Sequence, residues 1–282
     1  MTFLVHFTAG KVPASEVIFI RALSGVIVLL PFVTRHRVEW ISKSATSIWT
    51  CGLVGSISVF CFAWNLQHTS VAFANTLFNL APIAVVCIGT IVGQKKIGAN
   101  RLLDVILVIS ASALFWHGSQ SEISPMVWVV GLLGMCAAAI AYAILKILPF
   151  SWNTFDVTWS LSVATLPVAL LFKQGPWVVP GGAAIVTLIA ICALSIAGGA
   201  FLNVSFRYVE LSTATSLVPS AIIWGVLIDT FEHNHPAWQA IAGCALYLLA
   251  MVLMMVDKPA VPGDISAVEN VEISATAEQA GE

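Results

Sequence analysis

The sequence predicts an all-α polytopic membrane protein, built on a ten-helix plan as two inverted five-helix repeats with the first helix truncated. Three observations carry that expectation. Hydrophobic types make up 59% of the 282 residues, charged types only 9%, and the mean hydropathy is +0.95. A soluble domain is typically about 25% charged, so this chain cannot clothe a water-facing surface. Long apolar runs follow one another with short polar breaks, each run close to the roughly 20 residues that cross a bilayer. The two halves also echo each other at an offset of 140 positions.

The elements follow in order. The opening "MTFLVHFTA" is apolar but too short to cross, and it lacks the basic n-region and cleavage site of a signal peptide. Nine spans are expected at 15–33, 46–66, 71–93, 102–117, 125–148, 155–172, 184–206, 211–230 and 237–256. The breaks are "TRHRVEWISKS", "LQHTS", "QKKIGAN", "GSQSEIS", "PFSWNT" and "EHNHPA". Ser124-Pro125 is a good helix start, with serine as N-cap and proline at the first helical position. The organisation expected is a first repeat over 1–117, a second over 118–256, and an acidic, disordered cytoplasmic tail over 257–282 without aromatics.

The repeat rests on shared order more than on identity. Glu16-Val17 matches Asp156-Val157, each pair opening an apolar run. "LQHTSVAFANTL" at 66–77 matches "FRYVELSTATSL" at 206–217. Five spans per half force the second copy to enter from the opposite side, a common plan for secondary transporters. The partner of the 125–148 span would begin upstream of Met1, so only the end of the first helix is expected in this chain. Positive charge agrees. If the stub ends a helix that starts inside, Arg35, Arg37, Lys43, Lys95, Lys96, Arg101, Lys146, Arg207 and Lys258 share one side and Lys11 and Lys173 the other. That bias places the C-terminus in the cytoplasm of an inner-membrane, multi-pass protein.

At "PASEVIFIRALSGVIVLLPF", "AFANTLFNLAPIAVVCIGTIVGQKKI" and "ELSTATSLVPSAIIWGVLIDTFEHNHPAWQAIAGCALYLLAMVL" the chain resembles the EamA-domain family of the drug/metabolite transporter superfamily, over nearly all of Val12 to Val256. Gln94 stands where family members usually carry a glutamate, whereas Glu232 and Gly243 keep the pattern. The resemblance implies ten helices, a central cavity between the repeats, and movement of small metabolites, often amino acids or drugs, across the inner membrane.

Polar residues inside spans mark candidate sites, because they are costly in lipid. Ala72, Asn75, Asn79 and Pro82 share one helical face, and Ser212, Thr215, Ser216 and Pro219 repeat the scheme. Ser58, Cys61 and Asn65 align on another span, Ser195, Gly199 and Asn203 on a third, and Gly131, Gly134, Ala138 and Tyr142 on a fourth. The candidate substrate-binding set is Arg21, Asn65, Asn75, Asn79, Tyr142, Trp159, Asn203, Thr215 and Ser216, with Pro82 and Pro219 as hinges. For single Ser and Thr residues, helix packing is the competing reading, since small and hydroxyl residues let membrane helices approach. Arg21 is a permanent cation inside an apolar run, expected to face the cavity rather than to snorkel. The six cysteines are scattered without a C-x-x-C pair and read as small buried hydrophobes.

No acid falls at mid-span: Glu16, Asp104, Asp156, Asp229 and Glu232 lie near span ends. Facilitated export or exchange is therefore favoured over a tightly proton-driven pump. The leading function is export of amino-acid-like solutes by alternating access, with uptake of a nucleoside-like or cofactor-like metabolite as the alternative. A membrane transferase would need clustered His, Asp or Cys, which His117, His233 and His235 do not form, and a channel would need a charged ring. No enzyme activity, cofactor or metal is expected. The partners are a small-molecule substrate and the lipid bilayer. A homodimer is left open, and a net charge of -2 gives no reason to expect nucleic acid.

Overall fold

The computed structural model describes residues 1–33, 43–78, 124–148, 152–173, 175–208 and 238–256, together with single positions and short pieces at 80–114 and 224–230. The described residues are helical and contain no strand. The main helices are α1 (Thr2–Phe7), α2 (Ala14–Val33), α3 (Lys43–His68), α4 (Val71–Phe78), α5 (Pro125–Ile147), α6 (Thr154–Leu171), α7 (Gly182–Tyr208) and α8 (Trp238–Val256). Five of them (α2, α3, α5, α6 and α7) are long and apolar enough to cross a membrane. The expected spans at 15–33, 46–66, 125–148, 155–172, 184–206 and 237–256 thus correspond to helices. Most of 85–123 and 209–223, and the tail from 257, lie outside the described residues.

Polarity is arranged for lipid. Ile27, Val129, Leu133, Val186, Ile189 and Phe201 are all more than half exposed. Ser56, Ser58, Asn65, Asn75, Ser160 and Asn203 are buried. Hydrocarbon cannot hydrogen-bond, so polar side chains turn inward to helix partners and the outer face is left to aliphatic groups. Cys51 and Cys61 are buried as expected, but Cys136 is exposed. It shares its face of α5 with exposed Leu132, Leu133 and Ile140, and a thiol is apolar enough for a lipid-facing surface.

Close packing follows from small residues at the seams. A Cβ placed on Gly52 of α3 would sit 2.9 Å from the Ser160 carbonyl oxygen of α6, and one on Gly134 of α5 would sit 2.7 Å from the Cys61 Cβ of α3. Ser58 Oγ donates to the Gly134 carbonyl at 2.9 Å across the α3–α5 seam. The N-terminal stretch is tied to α3 by His6 Nδ1 against Leu66 O (2.7 Å) and by Gln67 Nε2 donating to Val12 O (3.0 Å).

The two acids that open the matching runs are both buried, at 1% exposure for Glu16 and 0% for Asp156. Glu16 accepts from Val178 N–H with both carboxylate oxygens at 3.1 Å, fixing the loop before α7 to the start of α2. Asp156 Oδ2 accepts from Asn153 N–H at 2.8 Å, closing the first turn of α6. Asp156→Ala should therefore lower stability by about 1 kcal/mol, as loss of an N-terminal cap does. Thermal denaturation in detergent checks this. Asp156→Asn, which keeps an acceptor oxygen, should lose less.

Helix bounds reproduce the sequence offset. The starts of α2 and α6, at Ala14 and Thr154, are 140 positions apart. The packing list has the same character. α3 packs on α6 and α7 on α2; α2 packs on α3 and α6 on α7; α3 packs on α5 and α7 on α1; α1 packs on α3 and α5 on α7. Exchanging α2 with α6, α3 with α7 and α1 with α5 turns each of these contacts into another of the set. The α2–α6 contact maps onto itself.

Candidate functional site

Between α2, α6 and α7 lies a narrow, partly open cavity of about 30 Å³. α2 contributes Arg21 and Ala22, and α7 contributes Ser195, Ile196 and Gly199. α6 contributes Leu161 with the hydroxyl residues Thr158, Ser162 and Thr165. Those three recur at helical spacing, so one face of α6 is a hydroxyl stripe bordering the cavity.

The hydroxyl protons are committed. Thr158 Oγ1 donates to Thr154 O (2.9 Å), Ser162 Oγ to Thr158 O (2.9 Å) and Thr165 Oγ1 to Leu161 O (2.6 Å). This bonding back to the preceding turn lets Ser and Thr sit inside a lipid-spanning helix. It leaves oxygen lone pairs as the polar feature turned outward. Thr158 Oγ1 uses one of its own to accept from Asn203 Nδ2 at 2.8 Å. Ser195 Oγ lies 2.8 Å from the Met1 sulfur.

Among the described residues Arg21 is the cation that lines this cavity, and no acid lines it. Among the described residues its guanidinium has no hydrogen-bond or ion-pair partner. Glu16, five residues back on α2, is turned away and held by Val178 N–H. Five residues advance a helix by about 140° and 7.5 Å, which separates the two charges.

The other sequence candidates are dispersed. Asn203 joins the cavity's edge through Thr158. Trp159 points its indole N–H at Val26 O (3.3 Å) and meets Trp49 edge-on at 6.3 Å between ring centroids, a packing role between α2, α3 and α6. Asn65 is buried at 2% exposure in the α3–α5 seam, where a Cβ on Gly131 would come 2.7 Å from its Nδ2. Asn75 is buried on α4, and a Cβ on Gly225 would lie 2.9 Å from its Nδ2. Tyr142 packs beside two clusters, one around Ala138 and Ala139 and one around Ala141 and Leu145. None of Asn65, Asn75, Tyr142 and Trp159 lines the Arg21 cavity. Asn79, Pro82, Thr215, Ser216 and Pro219 lie outside the described residues.

Sequence reasoning missed Thr158, Ser162 and Thr165. The signal was available as three hydroxyl residues on one face of the 155–172 run, together with Thr154 one turn before. Among the described residues no group of three His, Cys, Asp or Glu is placed to hold a metal ion.

Comparison with known proteins agrees with the residues. Residues 1–116 match the model of the EamA-like transporter family. The chain is similar to the pseudopaline exporter CntI of Pseudomonas aeruginosa strain UCBPP-PA14, at 25% identity over 265 residues and 90% of each chain. It is also similar to an uncharacterized transporter of Helicobacter pylori strain ATCC 700392 / 26695, at 20% identity over 271 residues, covering 90% of this chain and 91% of that one. A protein of solved crystal structure superposes with a TM-score of 0.60 at 16% identity, covering 90% of this chain and 94% of the other, which shows a shared fold. Family match, transporter relatives and apolar helices together support a multi-pass membrane transporter.

Proposed function

We propose that this chain, EamA-like by the match over residues 1–116, exports amino-acid-like solutes across the inner membrane by alternating access between two inverted five-helix repeats. The single observation that carries the reading is that the contacts among α1, α2, α3, α5, α6 and α7 map onto one another under exchange of α2 with α6, α3 with α7 and α1 with α5. A chain built this way has two related seams, α3–α6 and α2–α7, that trade places when the halves rock.

The two seams differ in this structure, as one state of such a carrier requires. At α3–α6, Gly52 is pressed to the Ser160 backbone, and a Cβ on Gly55 would meet Leu161 Cδ1 at 2.9 Å. At α2–α7 the Arg21 cavity opens, and a Cβ on Gly199 would meet only Thr158 Cγ2, at 3.5 Å. The exporter name of one relative supports the direction. The lysine and arginine bias supports a cytoplasmic C-terminus, and the reaction cycle contains no chemical step on the solute.

The test is flux. Purified protein in liposomes preloaded with a pool of the twenty amino acids should release a subset faster than protein-free liposomes, as read by mass spectrometry of the outer medium. Release of none of them would overturn the proposed substrate class. Release of uncharged or purely cationic solutes from liposomes loaded with those in place of amino acids would keep the transporter and discard its amino-acid assignment.

A further inference from the structure

We infer that the Arg21 cavity is a zwitterion site, in which the guanidinium takes a solute carboxylate and the lone pairs of Ser162 and Thr165 take its ammonium. The inference rests on the transport reading above and adds the atoms that would recognise the solute.

Three observations converge. First, Arg21 has a planar fork of donors, and among the described residues it has no protein acceptor and no acid borders its cavity. A guanidinium in a lipid-spanning helix is costly without an anion, and a carboxylate matches its fork bidentately. Second, the hydroxyls of α6 are acceptors as they stand. Ser162 and Thr165 spend their protons on the carbonyls of Thr158 and Leu161, so each turns oxygen lone pairs to a visiting donor. An ammonium has three donors and no acceptor, which suits such a surface. Third, the two functions come from different helices that line one cavity, the cation from α2 and the acceptors from α6, and Ala22, Ile196 and Gly199 add small or apolar lining. One helix for each charge would orient an α-amino acid.

The arrangement also rejects. A cation without a carboxylate would face Arg21 with like charge. A carboxylate without an ammonium would bind Arg21 but leave the acceptors of α6 desolvated and unmatched. Specificity of this kind comes from the penalty on the wrong solute as much as from attraction to the right one.

The experiment pairs binding with flux. Purified protein in detergent is titrated with the twenty amino acids. For each one that raises its thermal midpoint, the methyl ester (no carboxylate) and the deaminated acid (no ammonium) are compared at equal concentration. The expected result is a shift with the amino acid, none with the ester, and a weaker one with the acid. Arg21→Gln should weaken binding about tenfold or more, the equivalent of losing a charge-assisted contact. Arg21→Lys should recover part of that, as a point charge without the fork. Thr165→Val, which conserves shape, should bring the amino acid and its deaminated acid closer in affinity and leave the unliganded midpoint nearly unchanged. Equal shifts by the ester, or full binding and flux by Arg21→Gln, would overturn the site and leave the transporter reading intact. Absence of any flux from the wild-type protein, with binding retained and lost in Arg21→Gln, would overturn the transport reading and keep the site. Should Arg21→Gln fail to fold, the ester comparison and Thr165→Val decide the matter in its place.

Discussion

Gly52→Val should destabilise the protein by about 1–3 kcal/mol, the range for forcing extra volume into a packed interface. Even the Cβ of an alanine at this position would lie 2.9 Å from the Ser160 oxygen, 3.1 Å from its carbonyl carbon and 3.3 Å from the Leu161 nitrogen. All three are backbone atoms of α6, so no rotamer change relieves the clash and the helices must part. Parting them also loosens the aromatic contact of Trp49 with Trp159, which bridges the same two helices. Gly198 is the internal control, since a Cβ there meets nothing within 4 Å. Gly198→Ala should be neutral or slightly stabilising, because alanine is the better helix former. Thermal midpoints of the two variants in one detergent check the contrast. A Gly52→Val protein as stable as Gly198→Ala would mean that the α3–α6 seam is not tight.

A disulfide between α2 and α6 should abolish transport. A Cβ on Gly25 would lie 3.1 Å from the Ser162 Cβ. Disulfides span about 3.5–4.5 Å between those atoms, so a small opening of the seam admits the bridge. The α2–α6 contact maps onto itself under the exchange, so on the proposed rocking mechanism it is the seam about which the halves would turn. Gly25→Cys with Ser162→Cys, in a background free of the six native cysteines, should carry solute more slowly than wild type when reduced, because Ser162 borders the site, and stop altogether when oxidised. Reductant should restore flux. Undiminished flux from protein shown by mass spectrometry to be fully bridged would remove this seam from the moving parts.

The spans were the most legible part of the sequence. Lipid demands long apolar helices with satisfied backbones, and composition alone exposes them. The start of α5 was readable to the residue, because Ser124 before Pro125 is a local signal, and Ser124 Oγ accepts from Met126 N–H at 3.3 Å. Ala14 and Thr154 begin α2 and α6 one residue ahead of the expected spans, where the chain is already helical and not yet strongly apolar. Arg21 was conspicuous because the other charge in its run, Glu16, lies five residues back, more than a helical turn away. Its surroundings were not, since Ser195 and Thr158 are far apart in the chain and meet α2 only through the fold. Trp159 illustrates the converse. The sequence made it a substrate-binding candidate, yet its N–H donates to the Val26 carbonyl of a neighbouring helix, a partner that spacing along α6 does not disclose.

Arg21 carries a further consequence, an electrical one. A cation with no acid beside it gives the site a whole positive charge, so any rocking that moves α2 through the membrane field does work. That work amounts to about 2.3 kcal/mol for each charge moved across 100 mV. A zwitterionic solute adds no net charge, so the loaded and the empty site both take the charge of Arg21 through the field. An interior-negative potential then opposes the outward, loaded step and draws the empty site back inward. A carrier of this build would feel the membrane voltage through its own side chain, and its rate of export would follow that voltage with no coupling ion in the cycle.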